Sequence, residues 1–260
     1  MPLRLVGRDP SRLPALPGAV AAPAAEYADT AAMRQALEGV RTLFLVSARE
    51  SAERVAEHLS AVDAAVGAGV ERVVYLSFLG AAPECTFTFG RDHWHTEQHL
   101  RSTGLRHTFL RDSLYADLLP QMVGDDGAIR GPAADGRLSA VSQDDVAAVA
   151  TAVLLDDAGG VSQHDGVTYD VTGPQALTMT EVAATLSAAW GRPVRYVDET
   201  EDEAYASRAR FGAPDFEVAG WVSSYLAIAR GELSLVSDAV PRLIGRAAKS
   251  FGDVVRETGG

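Results

Sequence analysis

A chain of 260 residues with 47% hydrophobic and 22% charged residues has the composition of a globular protein, able to bury one large core or two modest ones. Its net charge of −12 argues against a sequence-independent hold on nucleic acid or on an anionic membrane, because both need a concentrated Lys/Arg surface. No apolar run approaches the roughly 20 residues that span a bilayer, the N-terminal run is too short for a secretory signal, and a single cysteine, Cys85, permits no internal disulfide, so a cytoplasmic protein is expected.

Taken in chain order, Leu3–Val6 is a short strand that runs into a turn, Gly7-Arg8-Asp9-Pro10-Ser11-Arg12. The Ala-rich stretch Ala19–Ala25 is read as a loop entering the next element. Thr30–Leu37 is a helix with Asp29 or Thr30 near its N-cap. Thr42–Ser47 (TLFLVS) is nearly all apolar, as a strand buried on both faces of a parallel sheet must be. Glu50–Ala68 is a long helix with apolar spacing at Val55, Leu59, Val62 and Val66. Gly69 closes it, and Val70–Phe78 supplies another buried strand. Asp92–Ser102 is helical and ends near Gly104, where a left-handed cap is expected.

Further on, His107–Leu110 is a strand, Gln143–Leu155 an Ala/Val-rich helix opened by Asp144 and Asp145, and Val167–Val171 one more strand. This rhythm predicts right-handed βαβ crossovers, hence an α/β fold with a doubly wound parallel sheet. After about Thr172 the pattern changes to a helix over Met179–Trp190, a short strand at Val194–Val197 and largely helical sequence from Thr200 to Val255. The expected division is a sheet domain over residues 1–155 and a smaller, mostly helical lid or substrate lobe over 156–260, with the 167–171 strand returning to the main sheet.

The run from His93 to Tyr115, HWHTEQHLRSTGLRHTFLRDSLY, resembles the pattern H-x-x-T-E-x-x-L-x-x-S-G-x-x-Y-T-x-L-R-N-x-x-Y of NmrA-like proteins, an atypical branch of the short-chain dehydrogenases. Type-2 NAD(P)H:quinone oxidoreductases and triphenylmethane reductases carry it most closely. His93, Thr96, Glu97, Leu100, Gly104, Arg111 and Tyr115 match, while Thr103, His107 and Asp112 replace the usual Ser, Tyr and Asn. Ala36–Val40, Val73–Ser77, Asp145-Val146-Ala147 and Thr168–Pro174 extend the likeness. The resemblance implies a Rossmann-like NAD(P)-binding domain.

One departure is large. The family's first strand leads into a G-x-x-G-x-x-G turn whose amides and following helix N-terminus hold a pyrophosphate. No such motif occurs in this chain, and residue 1 falls where the family's second strand begins. The first βα unit is thus missing, and a gap is expected between the strands at Leu3–Val6 and Thr42–Val46. Either the recorded start is late, or the chain as written is truncated and binds no dinucleotide.

The resemblance also implies roles for single residues. Arg8 and Arg12 follow the strand that ends beside the adenosine ribose, where an Arg pairs with a 2′-phosphate, so NADP is favoured, with NAD as the second choice. Val46, Ser47, Ser77 and Phe78 lie at strand carboxyl ends, where ligands of open α/β sheets bind. Ser77 stands where short-chain dehydrogenases place a carbonyl-orienting serine; its plainer reading is a strand-terminal serine bonding the next turn. His93 aligns with a catalytic lysine of isoflavone-reductase-like enzymes, suited to bonding the nicotinamide ribose or to donating a proton. Tyr115 joins Ser77 and His93 as a catalytic candidate.

Lysine occurs only at Lys249, so the Tyr-x-x-x-Lys proton relay is absent, which suits direct hydride transfer to a quinone-like acceptor. His95-Thr-Glu-Gln-His99 is not H-E-x-x-H, and no metal site is expected. Phe87, Phe89, Trp94, Tyr115, Trp221 and Tyr225 are candidates for an aromatic pocket. The expected function is hydride transfer from NAD(P)H to a planar small molecule. The alternative is a non-catalytic NADP-sensing regulator of the NmrA type. A homodimer is the assembly to consider.

Overall fold

The computed structural model describes residues 3–156 and 160–258. Strand β1 (Leu3–Leu5) is followed by a 3-10 turn over Pro10–Arg12 and by β2 (Ala19–Ala21), which pairs parallel to β1 with Leu3 opposite Ala19. The stretch read from sequence as a loop therefore begins with a strand. Alanine is a poor strand former alone, and the pairing to β1 overrides that preference.

Helix α1 (Thr30–Ala36) starts at Asp29, whose carboxylate accepts from the Ala32 N–H at 2.9 Å. After β3 (Thr42–Leu45) comes α2 (Arg54–Gly67), then β4 (Arg72–Phe78), α3 (Thr88–Ser102) and β5 (Arg106–Asp112). A 3-10 segment at Ala116–Met122 leads to β6 (Ala128–Gly131) and β7 (Arg137–Leu138), and α4 (Gln143–Leu155) occupies the expected residues. Next come β8 (Thr168–Val171), β9 (Leu177–Thr178), α5 (Met179–Trp190), which opens with a capping box between Thr178 and Glu181, and β10 (Arg195–Asp198). Among the described residues four further α-helices follow: α6 (Glu201–Arg208), α7 (Asp215–Ala229), α8 (Ala239–Ile244) and α9 (Phe251–Thr258), with a 3-10 turn over Ala209–Phe211 between the first two.

The main sheet is parallel in the order β3-β4-β5-β8, with Leu76 opposite Leu110 and Leu110 opposite Tyr169. Every residue of β4 is buried, because helices cover both faces. Val73 and Tyr75 pack with Met33, Leu37, Val62 and Leu100 on the side of α1, α2 and α3. Val74 and Leu76 pack with Val146, Val149, Val153 and Val240 on the side of α4 and α8. That two-sided cover is the doubly wound arrangement.

The β1-β2 pair is a separate sheet, and β1 is not hydrogen-bonded to β3. The two units meet through α1 and α2, whose apolar residues share one core with Ala22, Ala25 and Leu45. A third core joins the ends of β4 and the Ala116–Met122 segment to α5, α7 and α9 through Phe78, Leu119, Ile129, Met179, Leu186, Tyr225, Ile228 and Val254. There β6 pairs parallel to β10, so the segment around residue 130 packs with the C-terminal elements. Gly220 lets α7 approach α3 closely: a Cβ there would stand 2.2 Å from the Phe89 ring. No helix among the described residues is long and apolar enough to cross a membrane.

Helix α2 differs from its sequence reading. It begins at Arg54 rather than Glu50, and its buried stripe is Arg54, His58, Ala61, Val62 and Ala65, while Val66 is 43% exposed. Apolar spacing mislocated the face because two of its buried positions are polar.

Candidate functional site

A cleft of about 250 Å³ opens at the residues that follow the carboxyl ends of β1 and β3. Val6, Gly7 and Arg8 form one wall, Val46, Ser47, Ala48 and Arg49 the other, and Ala25–Ala28 and Glu57 close it. The Tyr27 hydroxyl crosses it and donates to the Val46 carbonyl at 2.7 Å. The turn after β1 decides which charge faces the cleft. Asp9 accepts from the Ser11 N–H at 3.0 Å and the Ser11 hydroxyl at 2.6 Å, which caps the 3-10 turn and holds its carboxyl below the usual range. Asp9 is thereby engaged locally, and Arg8 is the charged residue of that turn on the cleft wall. Arg12 ends the turn exposed and is not on the wall.

The other sequence candidates lie deeper. Ser77 is fully buried, and its hydroxyl donates to Glu97 Oε1 at 2.7 Å. Glu97 also accepts two bonds from Arg111, from Nε at 2.8 Å and Nη2 at 2.7 Å. Ser77 is thus bound into a buried ion pair rather than presented to a ligand. Phe78, at the end of β4, packs on Phe87 with ring centroids 4.8 Å apart and on His93 at 6.0 Å. His93 is buried between the Tyr75 hydroxyl, 2.9 Å from Nδ1, and Arg54 Nη2, 3.3 Å from Nε2. Burial and then the Arg54 cation hold its pKa well below the ordinary histidine value, so the ring is neutral near pH 7.

Tyr115 stands apart from the cleft and donates to Asp112 Oδ2 at 2.6 Å. Burial pushes the Asp112 carboxyl up to about 7, against the lowering by Tyr115. The structure therefore brings Arg8, Val46 and Ser47 together on one cleft, places Phe78 against His93, and leaves Arg12, Ser77 and Tyr115 off the cleft wall.

Sequence reasoning missed Tyr27, Arg49, Arg54, His58 and Glu57. Only a polar stripe at i, i+4 on α2 could have signalled Arg54 and His58. Of the paired histidines on α3, His99 bonds Asp63 at 2.7 Å and His95 is exposed.

A second, larger cleft of about 1210 Å³ lies in the C-terminal lobe between the residue 121–130 segment, α6 and α7. Met122, Phe211, Trp221 and Tyr225 give it apolar surface, and the Arg208–Glu199 pair lies on its wall at 3.0 Å.

A family model described as the NmrA-like family matches residues 19–208. The NAD(P)H azoreductase of Xenophilus azovorans is 33% identical over 225 residues, covering 85% of this chain and 76% of that protein. Quinone oxidoreductase 2 of Escherichia coli strain K12 is 31% identical over 235 residues, covering 89% of this chain and 80% of its own. The crystal structure of an NADPH-dependent quinone oxidoreductase from Escherichia coli in complex with NADPH superposes with a TM-score of 0.87 at 29% identity, over 99% of this chain and 90% of that one. On its fold, its motifs and these matches, the chain belongs to the NmrA-like family.

Proposed function

We infer that this protein is an NAD(P)H-dependent oxidoreductase that uses NADPH and reduces a quinone-like or other planar acceptor. The observation that carries the reading is the cleft at the ends of β1 and β3, with Arg8 on its wall and Asp9 turned into its own cap. An arginine there matches a 2′-phosphate in charge and in its forked donors. The azoreductase and quinone oxidoreductase relatives support both the cofactor and the reaction class.

The adenosine end of the dinucleotide fits: Arg8 would hold the 2′-phosphate, with Ser47, Ala48 and Tyr27 around the ribose and base. No glycine-rich turn among the described residues supplies a cradle of amides for the pyrophosphate, so this end of the site carries the binding argument. Bound NADPH would supply the hydride. The protein's part is orientation and a dry surface. Phe78 and Phe87 form an aromatic wall beside the neutral, doubly bonded His93, and the larger cleft with Trp221 and Tyr225 has room for a flat acceptor. A ligand cleft of this size also favours an enzyme over a purely sensing role. The proposal takes residues 1–155 as the cofactor-binding unit and 156–260 as the acceptor lobe, with β8 returning to the main sheet. It also takes the chain to be cytoplasmic, on the support of its single, buried Cys85.

Arg8→Ala tests the reading. It is expected to weaken NADPH binding roughly tenfold, by loss of a charge-assisted pair of about 1.4 kcal/mol or more, while leaving NADH unchanged. Fluorescence titration of both cofactors reads this directly, and equal losses for the two would remove the 2′-phosphate assignment.

A further inference from the structure

Ala48 lies beside Ser47 on the cleft wall, and both of its backbone polar atoms are held by side chains of a single helix. Its N–H donates to Nε2 of His58 at 2.7 Å, and its carbonyl accepts from Nε of Arg54 at 3.0 Å. The two side chains stand one turn apart on α2, His58 fully buried and Arg54 5% exposed. Polar groups at that depth need a complete set of partners, and here each has one.

The partners also determine the imidazole tautomers. The Thr96 hydroxyl donates to the Asp92 carbonyl at 2.9 Å, so toward His58 Nδ1, also at 2.9 Å, its oxygen accepts. His58 therefore carries its proton on Nδ1 and offers a bare Nε2 to Ala48. His93 follows the same logic. Arg54 can only donate, so Nε2 of His93 is bare and Nδ1–H faces the Tyr75 hydroxyl. Arg54 completes the circuit through Nη1 to Asp92 Oδ2 at 3.5 Å and lies over the Phe89 ring at 5.4 Å. The groups facing His58 are Arg54, Thr96 and the Tyr27, Tyr75 and His93 rings. Burial and Arg54 lower its pKa to about 3, so the acceptor on Nε2 persists throughout the neutral range.

We propose that Arg54 and His58 are positioning residues for the dinucleotide: they clamp the Ser47–Arg49 backbone on the cleft wall, and Arg54 ties that backbone to His93. The inference rests on the oxidoreductase reading above. A clamped strand end pre-organises the wall, so the cofactor does not have to order it on binding. Because one guanidinium bonds both Ala48 and His93, the clamp links the adenosine end of the site to the aromatic wall built on Phe78. Nothing in the α2 sequence pattern other than its two buried polar residues announces this.

The test has two arms. Imidazole nitrogen NMR on the unliganded chain should show both His58 and His93 as neutral Nδ1–H tautomers near neutral pH, with His58 not titrating between about pH 5 and about pH 8. In binding, His58→Leu removes the acceptor. It should raise the NADPH dissociation constant roughly tenfold, in line with loss of a buried hydrogen bond, and leave the acceptor KM unchanged. His58→Gln restores an acceptor and should recover most of the affinity, which a purely space-filling role would not require. Should His58→Leu fail to fold, Arg54→Met and the native spectrum carry the test. A His58 that titrates near neutrality, or bears its proton on Nε2, overturns the clamp. So does a folded His58→Leu or Arg54→Met protein with native NADPH affinity. If the native chain itself takes no NADPH, the oxidoreductase reading falls first and this inference with it.

Discussion

Asp112 sets the sharpest quantitative expectation. The resemblance places an asparagine at this position, and here an aspartate stands at the carboxyl end of β5, 4% exposed, with the Tyr115 hydroxyl as its side-chain donor. Burial raises its pKa from 3.8 to about 7. Below the unfolded value both states are protonated, and Asp112 costs nothing. Between the two values the unfolded chain releases the proton while the folded chain keeps it, so stability falls as pH rises. Above about 7 both are ionised and the full penalty remains. At 1.36 kcal/mol per unit, the shift of about three units amounts to about 4 kcal/mol.

Asp112→Asn retains an oxygen for Tyr115 and removes the titration. Urea unfolding of both proteins from about pH 4 to about pH 8 should therefore show the difference in unfolding free energy moving by about 4 kcal/mol toward the variant as pH rises. Other carboxylates cancel in that difference. A difference that stays flat within about 1 kcal/mol across the window would refute the burial argument for Asp112.

Two further changes probe the scaffold behind the site. Glu97→Gln leaves Arg111 facing a neutral amide in a buried setting where the carboxylate accepted from both Arg111 and Ser77, and it should cost about 3 kcal/mol in chemical unfolding at an unchanged m-value. A loss under about 1 kcal/mol would mean that the pair is held by solvent rather than by burial. Gly173→Ala would set a Cβ 2.0 Å from the Ala140 carbonyl oxygen, a backbone atom that no rotamer change can move. Its midpoint should drop by the equivalent of about 3 kcal/mol. Gly39→Ala meets nothing within 4 Å and carries only the strain of its φ of 74°, about 1 kcal/mol. Equal effects at the two glycines would contradict the close approach.

The legible part of the site was the part that lies at strand ends. Arg8, Val46 and Ser47 line one cleft because each follows the carboxyl end of a strand, β1 or β3, and strand carboxyl ends are where ligands of open α/β folds bind. What local sequence could not show is which polar groups are already engaged. Ser77 looked available to a substrate until Glu97, 20 residues on, was brought under β4 by α3. Asp9 and Arg8 are adjacent in sequence, and only the folded turn showed the carboxylate capping itself.

The sequence by itself determined the main strands, most helices and the two-sided burial of the sheet, because apolar runs and helix caps act over a few residues. Gln143–Leu155 and Met179–Trp190 form helices over the expected residues for that reason. Only the tertiary structure decided the rest. Ala19–Ala21 becomes a strand because β1 offers it a partner, α2 buries Arg54 and His58 because Ala48, Thr96 and His93 satisfy them, and β6 joins β10 across the lobe. Each depends on groups distant in the chain whose pairing is worth more than the local preference it overrides.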